Sequence, residues 1–344
     1  MRLPGYRVDA LTDAAIRYID THQAEPFFLF VSFLEPHHQN HLDDYPPPVG
    51  YREQYTGRWT PPDLAALGGS SARHLGGYYG MVKRLDEALG RLLDALRSLS
   101  LLENTVVLFT SDHGCHFKTR NSEYKRSCHE SSIRVPTALC GPGFDGGGQI
   151  NALVSLIDLQ PTLLDAAGLP IPPGMEGRSI LPLLRGRSHE GVRTGQEEDS
   201  HEGVRTERGE DSHEGVRTAQ EGSPWPEEVF VQISESQVAR AIRTRRWKYC
   251  VNAPDRDPWA HSGADRYVEE ALYDLQADPY ELDNLVGIEA YRAVADDLRR
   301  RLLARMVAAG EPEPVIEAAP PRALPQRTAT MSEVRERYGR QQGN

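Results

Sequence analysis

Apolar positions along the chain follow two rhythms. Between Tyr78 and Leu99 they recur at Tyr78, Val82, Leu85, Leu89, Leu92, Leu96 and Leu99. Spacings of four and three place these side chains in one stripe along a helix, the side that packs on a core. A shorter helical pattern covers Ala10 to His22. The second rhythm is the continuous apolar run, at Pro26–Phe33, Thr105–Phe109 and Val135–Leu139. Short runs of this kind predict strands buried on both faces. Helices alternating with such strands predict an α/β fold built on a parallel sheet with flanking helices. Ala152–Leu156 reads as one more short strand, followed by a helix that starts near Asp158 with Pro161 in its first turn.

After residue 225 the pattern changes. Val229–Ile233, Ala239–Cys250 and Ala271–Leu275 read as strands, with Arg243 to Arg246 at a turn or edge, and Ala290–Met306 as an amphipathic helix. Together they predict a smaller α+β subdomain. Between the two parts, Ser-His-Glu-Gly-Val-Arg-Thr occurs at Ser188–Thr194, Ser200–Thr206 and Ser212–Thr218. One valine per repeat cannot bury a core, so residues 186–224 are expected to be a disordered tandem-repeat insertion, whose histidines (His189, His201, His213) could hold metal only loosely. The expected division is therefore 1–185, 186–224, 225–310, and a flexible tail over 311–344.

Composition narrows the function classes. The 344 residues carry 39 Lys and Arg against 50 Asp and Glu, a formal charge of −11. That balance argues against nucleic acid as a partner, because neutralising phosphates takes clustered cations. No apolar run approaches the roughly 20 residues that span a bilayer, so no membrane partner is expected. The first residues, Met1 to Arg7, lack the apolar core of a signal peptide. Four cysteines without CxxC spacing argue against a disulfide framework or a zinc finger, and lean towards the cytoplasm.

Candidate chemistry gathers at strand ends, where ligands of open α/β sheets bind. Asp112 and His113 close the Thr105–Phe109 run, and Gly114 lets the chain turn there. A carboxylate beside an imidazole suits a divalent cation; oxygen favours Ca²⁺, and nitrogen shifts the preference towards Mn²⁺ or Zn²⁺. The alternative is a carboxylate that caps a turn beside a packed histidine. Lys125, in a polar stretch before a strand, could hold a doubly charged oxyanion or be an exposed loop lysine. His37 follows Pro36 at another strand end, either donating to an oxyanion and acting as a general acid, or satisfied within the loop.

Several stretches resemble the sulfatase family of the alkaline phosphatase superfamily. They are PFFLFVSFLEPH at Pro26–His37, Thr110–Gly114, KRSCHESSIRVP at Lys125–Pro136 and Gly141-Pro142-Gly143, then VSLIDLQPTLL at Val154–Leu164, Gly177–Ile180 and LYDLQADPYELDNL at Leu272–Leu285. The resemblance implies an alkaline phosphatase-like α/β sheet and metal-dependent hydrolysis of sulfate esters of small molecules or carbohydrates. It implies that Asp112 and His113 are metal ligands, usually for Ca²⁺, and that Lys125 and His37 contact the sulfate, with His38 as the substitute for His37. In the family a formylglycine made from Cys or Ser attacks sulfur, within a Cys/Ser-x-Pro-x-Arg motif. None of the cysteines here begins that motif: Cys115, Cys128, Cys140 and Cys250 are followed by His-Phe, His-Glu, Gly-Pro and Val-Asn. The upstream Asp pair of the family's metal site is missing too. The expectation is a truncated form without the N-terminal part of the sheet, with little or no turnover by itself and an exposed edge that permits self-association. Two other readings compete: a phosphonate or phosphate ester hydrolase of the same superfamily, and a non-catalytic remnant or binding protein.

Overall fold

A computed structural model describes residues 5–144, 147–185 and 225–322. The three heptapeptide repeats and everything after 322 lie outside the described residues.

The first part is mainly helical: α1 (Arg7–Thr21), α2 (Tyr51–Tyr55), α3 (Pro62–Ala66) and α4 (Ser71–Ser98). At 28 residues α4 is the scaffold, about 42 Å long at 1.5 Å per residue. It is longer than the apolar stripe predicted, because its first turns pack on the preceding loop through Leu75 and Met81. Gly77 permits that approach; a Cβ there would stand 2.3 Å from the Tyr45 carbonyl oxygen. Leu85 and Ala88 meet Val8 of α1, an interface reinforced by a 2.6 Å ion pair from Arg84 to Asp9.

The run at Pro26–Phe33 is not a strand. Its residues alternate: Phe33 packs against the Val8–Leu85–Ala88 cluster, while Phe28 is 74% and Phe30 79% exposed. Burial on both faces requires a layer on each side, and among the described residues only one is present.

The chain continues through β1 (Val107–Phe109), α5 (Glu130–Ile133) and β2 (Ala138–Cys140). β1 and β2 pair antiparallel, Leu108 opposite Leu139, so the parallel arrangement expected of these runs is not the one adopted. Gly141 closes the pair in a left-handed conformation, where a Cβ would meet the Thr105 carbonyl oxygen at 2.1 Å. Ala152–Leu156 forms no strand, because Ser155 and Asp158 cap each other's backbone and turn the chain into a short 3₁₀ segment. That segment leads into α6 (Leu159–Ala166), followed by α7 (Leu181–Arg185).

The second part follows its expectation closely. β3 (Glu228–Ile233), β4 (Ala239–Thr244), β5 (Trp247–Asn252) and β6 (Arg266–Asp274) form an antiparallel meander. On one face Ile242, Tyr249, Val251 and Leu272 pack under α8 (Arg292–Ala308), through Ala295, Leu298, Leu302 and Met306. The other face presents Ala239, Ala241, Cys250 and Ala271 to Cys128 of the first part. Small side chains there let the two parts close together. Residues 311–322 differ from the flexible tail expected over 311–344: β7 (Val315–Glu317) adds a parallel strand beside β6, and Glu311 binds the buried Arg240 at 2.7 Å; the rest of that tail lies outside the described residues. No described helix is long and apolar enough to cross a membrane.

Candidate functional site

The stretch between β1 and α5 carries three of the four candidate residues, and a buried charge cluster fixes its far end. Lys248 on β5, fully buried, lies 2.5 Å from Glu281 and 2.8 Å from Glu130. Arg120 donates to the carbonyl oxygens of Tyr280 and Glu281. The second part of the chain thus holds the loop that bears Lys125.

His37 and Lys125, 88 residues apart, meet with Nε2 and Nζ 3.3 Å from each other. The His37 Nδ1–H donates to the His38 carbonyl oxygen at 2.6 Å, which leaves the Nε2 lone pair to accept from Lys125 and from the Tyr124 hydroxyl at 3.1 Å. Burial lowers the His37 pKa, and the Lys125 ammonium lowers it further. His37 is therefore neutral in this arrangement, an acceptor waiting between two donors. Asp112 and His113 are both near enough to bias the charge on the same ring. His38 lines the same cleft as His37, but its Nδ1 is tied to the Asn40 side-chain oxygen at 3.0 Å, and it is His37 that meets Lys125.

Asp112 and His113 form a matched pair of donors. The His113 Nδ1–H donates to the Gly114 carbonyl oxygen at 2.9 Å, and this fixes the tautomer and frees Nε2. That nitrogen lies 3.3 Å from Asp112 Oδ2. Two donors at right angles on a cation about 2.3 Å away would stand about 3.3 Å apart, so the spacing fits a shared divalent ion. The Asp112 side chain is 84% exposed, open to further ligands. Both atoms are acceptors, which makes a cation the natural occupant.

His37 and Lys125 line a cleft of about 480 Å³ together with Lys118, Tyr124, Arg126 and Trp259. Tyr124, Lys118, Arg126 and Trp259 were not singled out by sequence. Tyr124 is adjacent to Lys125 and could have been found by asking what shares its turn. Trp259, 72% exposed with the Arg126 guanidinium 5.9 Å over its ring, comes from the distant second part and carries no local signal. Cys115 is the cysteine next to the site in sequence; burial raises its thiol pKa, and the Tyr45 hydroxyl lies 3.2 Å from its sulfur. It is a packed thiol, unsuited to act as a nucleophile.

Known proteins resemble this chain in sequence and in fold. The Sulfatase family model matches residues 2–169, and the N-sulphoglucosamine sulphohydrolase C-terminal model matches 122–221. Arylsulfatase K of Bos taurus is 31% identical over 244 residues, 70% of this chain and 38% of that protein. Arylsulfatase K of Mus musculus is 33% identical over 208 residues, 60% of this chain and 32% of that protein. The chain thus spans about a third of the length of these relatives. In structure it resembles yidJ of Bacteroides fragilis (TM-score 0.67, 22% identity, 90% of this chain and 60% of that one). It also resembles BT4656, solved with its substrate D-glucosamine-2-N,6-O-disulfate (TM-score 0.59, 19% identity, 90% and 71% covered). The phosphonate monoester hydrolase of Agrobacterium radiobacter is a third neighbour (TM-score 0.61, 23% identity, 88% and 61% covered). At these identities the structural likenesses establish the alkaline phosphatase-like α/β fold alone.

Proposed function

We propose, from the premise that the chain belongs to the sulfatase family of the alkaline phosphatase superfamily, that the cleft around His37 and Lys125 binds the sulfate group of a sulfate ester for hydrolysis. The observation that carries this reading is the convergence of Lys125 Nζ and the Tyr124 hydroxyl on His37 Nε2, within reach of Asp112 and His113. The ammonium and the hydroxyl now donate to a neutral nitrogen; an anionic oxygen entering beside His37 would draw both donors to itself in a half-buried setting, where charge-assisted hydrogen bonds are strong. When sulfate enters, its negative charge favours protonation of His37, which becomes a third donor and a proton source for the departing alcohol.

Asp112 and His113 are the residues that would hold a divalent cation, most simply Ca²⁺, with Mn²⁺ or Zn²⁺ favoured by the His113 nitrogen. When bound, the cation supplies charge neutralisation for the sulfate oxygens. The cleft supports a sulfated carbohydrate as the ester: Trp259 offers an exposed apolar face beside the basic residues Lys118, Arg126 and Lys125. In organisation, residues 1–185 and 225–310 act as two parts of one site across the insertion at 186–224. The exposed Phe28 and Phe30 are the surface through which copies of the chain would self-associate.

A second reading, phosphonate or phosphate ester hydrolysis, rests on the nitrogen donor of His113. An aryl sulfate and an aryl phosphonate, titrated in parallel, separate the two. The sulfatase reading predicts tighter binding of the sulfate, weakened at least tenfold by Lys125→Ala. Because these 344 residues contain no Cys/Ser-x-Pro-x-Arg stretch, binding without turnover is expected. Hydrolysis that survives Asp112→Ala would overturn the site assignment.

A further inference from the structure

A second pair of histidines lies beside the cleft and has no part in the reading above. His38 and His74 are almost completely buried, 8% and 3% exposed, with ring centroids 5.8 Å apart. One ring nitrogen of each and a carboxylate oxygen of Asp43 all fall within 4.8 Å of one another. The three residues come from a loop and from α4, brought together where the Gln39–Asp44 turn meets the helix.

The hydrogen bonds around them are incomplete in an informative way. The His38 Nδ1–H donates to the Asn40 side-chain oxygen at 3.0 Å, so the Nε2 lone pair faces Asp43 Oδ1 at 3.2 Å. Two acceptors at that distance repel unless a positive charge stands between them. His74 is oriented in the same way: its Nδ1 lies 3.4 Å from Asp44 Oδ1, so the proton belongs on Nδ1, facing that carboxylate, and Nε2 carries the lone pair. The arrangement at His38 is that of His113 and Asp112 again, where an Nδ1–H is tied to an oxygen and Nε2 is turned to a carboxylate 3.3 Å away.

We propose that His38, His74 and Asp43 form a second cation site, for Zn²⁺ or a transition-metal dication like it, on the wall of the cleft. Two imidazoles and one carboxylate are a donor set that selects zinc over calcium. Asn40 is the residue that orients His38, as outer-shell partners of metal-bound histidines do. Arg73 occupies the other Asp43 oxygen at 3.0 Å, which leaves Oδ1 for the ion. His38 and Asp43 also line the cleft that contains His37 and Lys125, so the ion would sit beside the sulfate group without sharing its ligands.

Cobalt(II), a spectroscopic substitute for zinc, tests this in the full chain. Asp112→Ala removes the first candidate site, and the chain carrying that change is titrated with Co²⁺ and followed by visible absorption. The expected result is one Co²⁺ equivalent with the intense bands of a four-coordinate, nitrogen-containing site, displaced by Zn²⁺. Adding Asp43→Asn, an exposed and near-isosteric change, should weaken it at least tenfold, and Asn40→Ala about 10- to 100-fold. Far-UV circular dichroism checks that each variant is folded. No absorbing complex in Asp112→Ala overturns the proposal. So does binding unchanged by Asp43→Asn, the result that histidines of the three repeats would give.

Discussion

Removing the ammonium of Lys248 should be the most damaging single change to the fold outside the apolar core. Lys248 is fully buried, with Glu281 (side chain 1% exposed) at 2.5 Å and Glu130 (14% exposed) at 2.8 Å. In Lys248→Met two carboxylates would remain in the interior. Glu130 keeps Arg243 at 3.3 Å, but among the described residues Glu281 keeps no cation and only the Glu130 backbone N–H, at 2.7 Å. Burial already raises the Glu281 pKa against the pull of Lys248. Breaking a buried pair from one side costs about 3–5 kcal/mol. With a urea slope of about 1–3 kcal/mol/M, the midpoint should fall by at least about 1 M. Equilibrium urea unfolding, followed by tryptophan fluorescence and far-UV circular dichroism, measures it; Trp247 reports from the adjoining position on β5. The double variant Lys248→Met/Glu281→Gln should recover much of the loss, because the introduced amide is neutral and its oxygen can still accept from the Glu130 N–H. A single-variant loss under about 1 kcal/mol, or a double variant no better than the single, would refute this account of the cluster.

Other perturbations have equally definite outcomes. His116 is fully buried, neither ring nitrogen is hydrogen-bonded among the described residues, and burial pushes its pKa down to about 4. Burial, then Arg120 and Lys248, push His129 down to about 2. Below about pH 6.5 the unfolded chain therefore takes up protons that the folded chain refuses. Their stabilising contribution is whole above about pH 6.5 and is lost as pH falls, towards about 4 for His116 and about 2 for His129, at up to about 1.4 kcal/mol per pH unit for each histidine. Urea unfolding across that range should show the slope, reduced by up to that amount in His116→Phe; an unchanged slope would contradict it. Trp259→Ala should weaken a sulfated disaccharide about fivefold or more while leaving inorganic sulfate unaffected, as read by calorimetric titration; equal loss for both would remove Trp259 from sugar binding. Gly141→Ala should destabilise the β1–β2 pair by more than about 1 kcal/mol, since it adds a 2.1 Å contact to a left-handed position, and unfolding at neutral pH would show it.

The features legible in the sequence are those written in local pattern. The β3–β6 meander and α8 alternate or repeat at their own periods, and the packed structure adopts them nearly where the pattern places them. The pairing of Asp112 with His113 needs only adjacency at a strand end. Phe28 and Phe30 mislead because an apolar run encodes a wish for two neighbouring layers without saying whether both exist. β7 is three residues in a proline-rich stretch, stabilised by pairing with a strand more than 40 residues earlier, and that register leaves no local trace. Trp259 and His74 are invisible for the same reason. Their roles arise from what α4 and the second part bring against the cleft, and the antiparallel β1–β2 pairing likewise depends on chain direction, which apolar runs do not record.

The central proposal is that an anion subsite at His37 and Lys125 lies beside a cation subsite at Asp112 and His113, near enough for both to act on the His37 ring. Titrating inorganic sulfate by calorimetry, with and without saturating Ca²⁺, tests it most directly, because two ligands sharing a site must alter each other's affinity reciprocally. The prediction is that Ca²⁺ tightens sulfate at least fivefold, that Asp112→Ala abolishes this coupling, and that Lys125→Ala weakens sulfate with Ca²⁺ present. Sulfate affinity indifferent to Ca²⁺ and to Lys125→Ala would contradict the account.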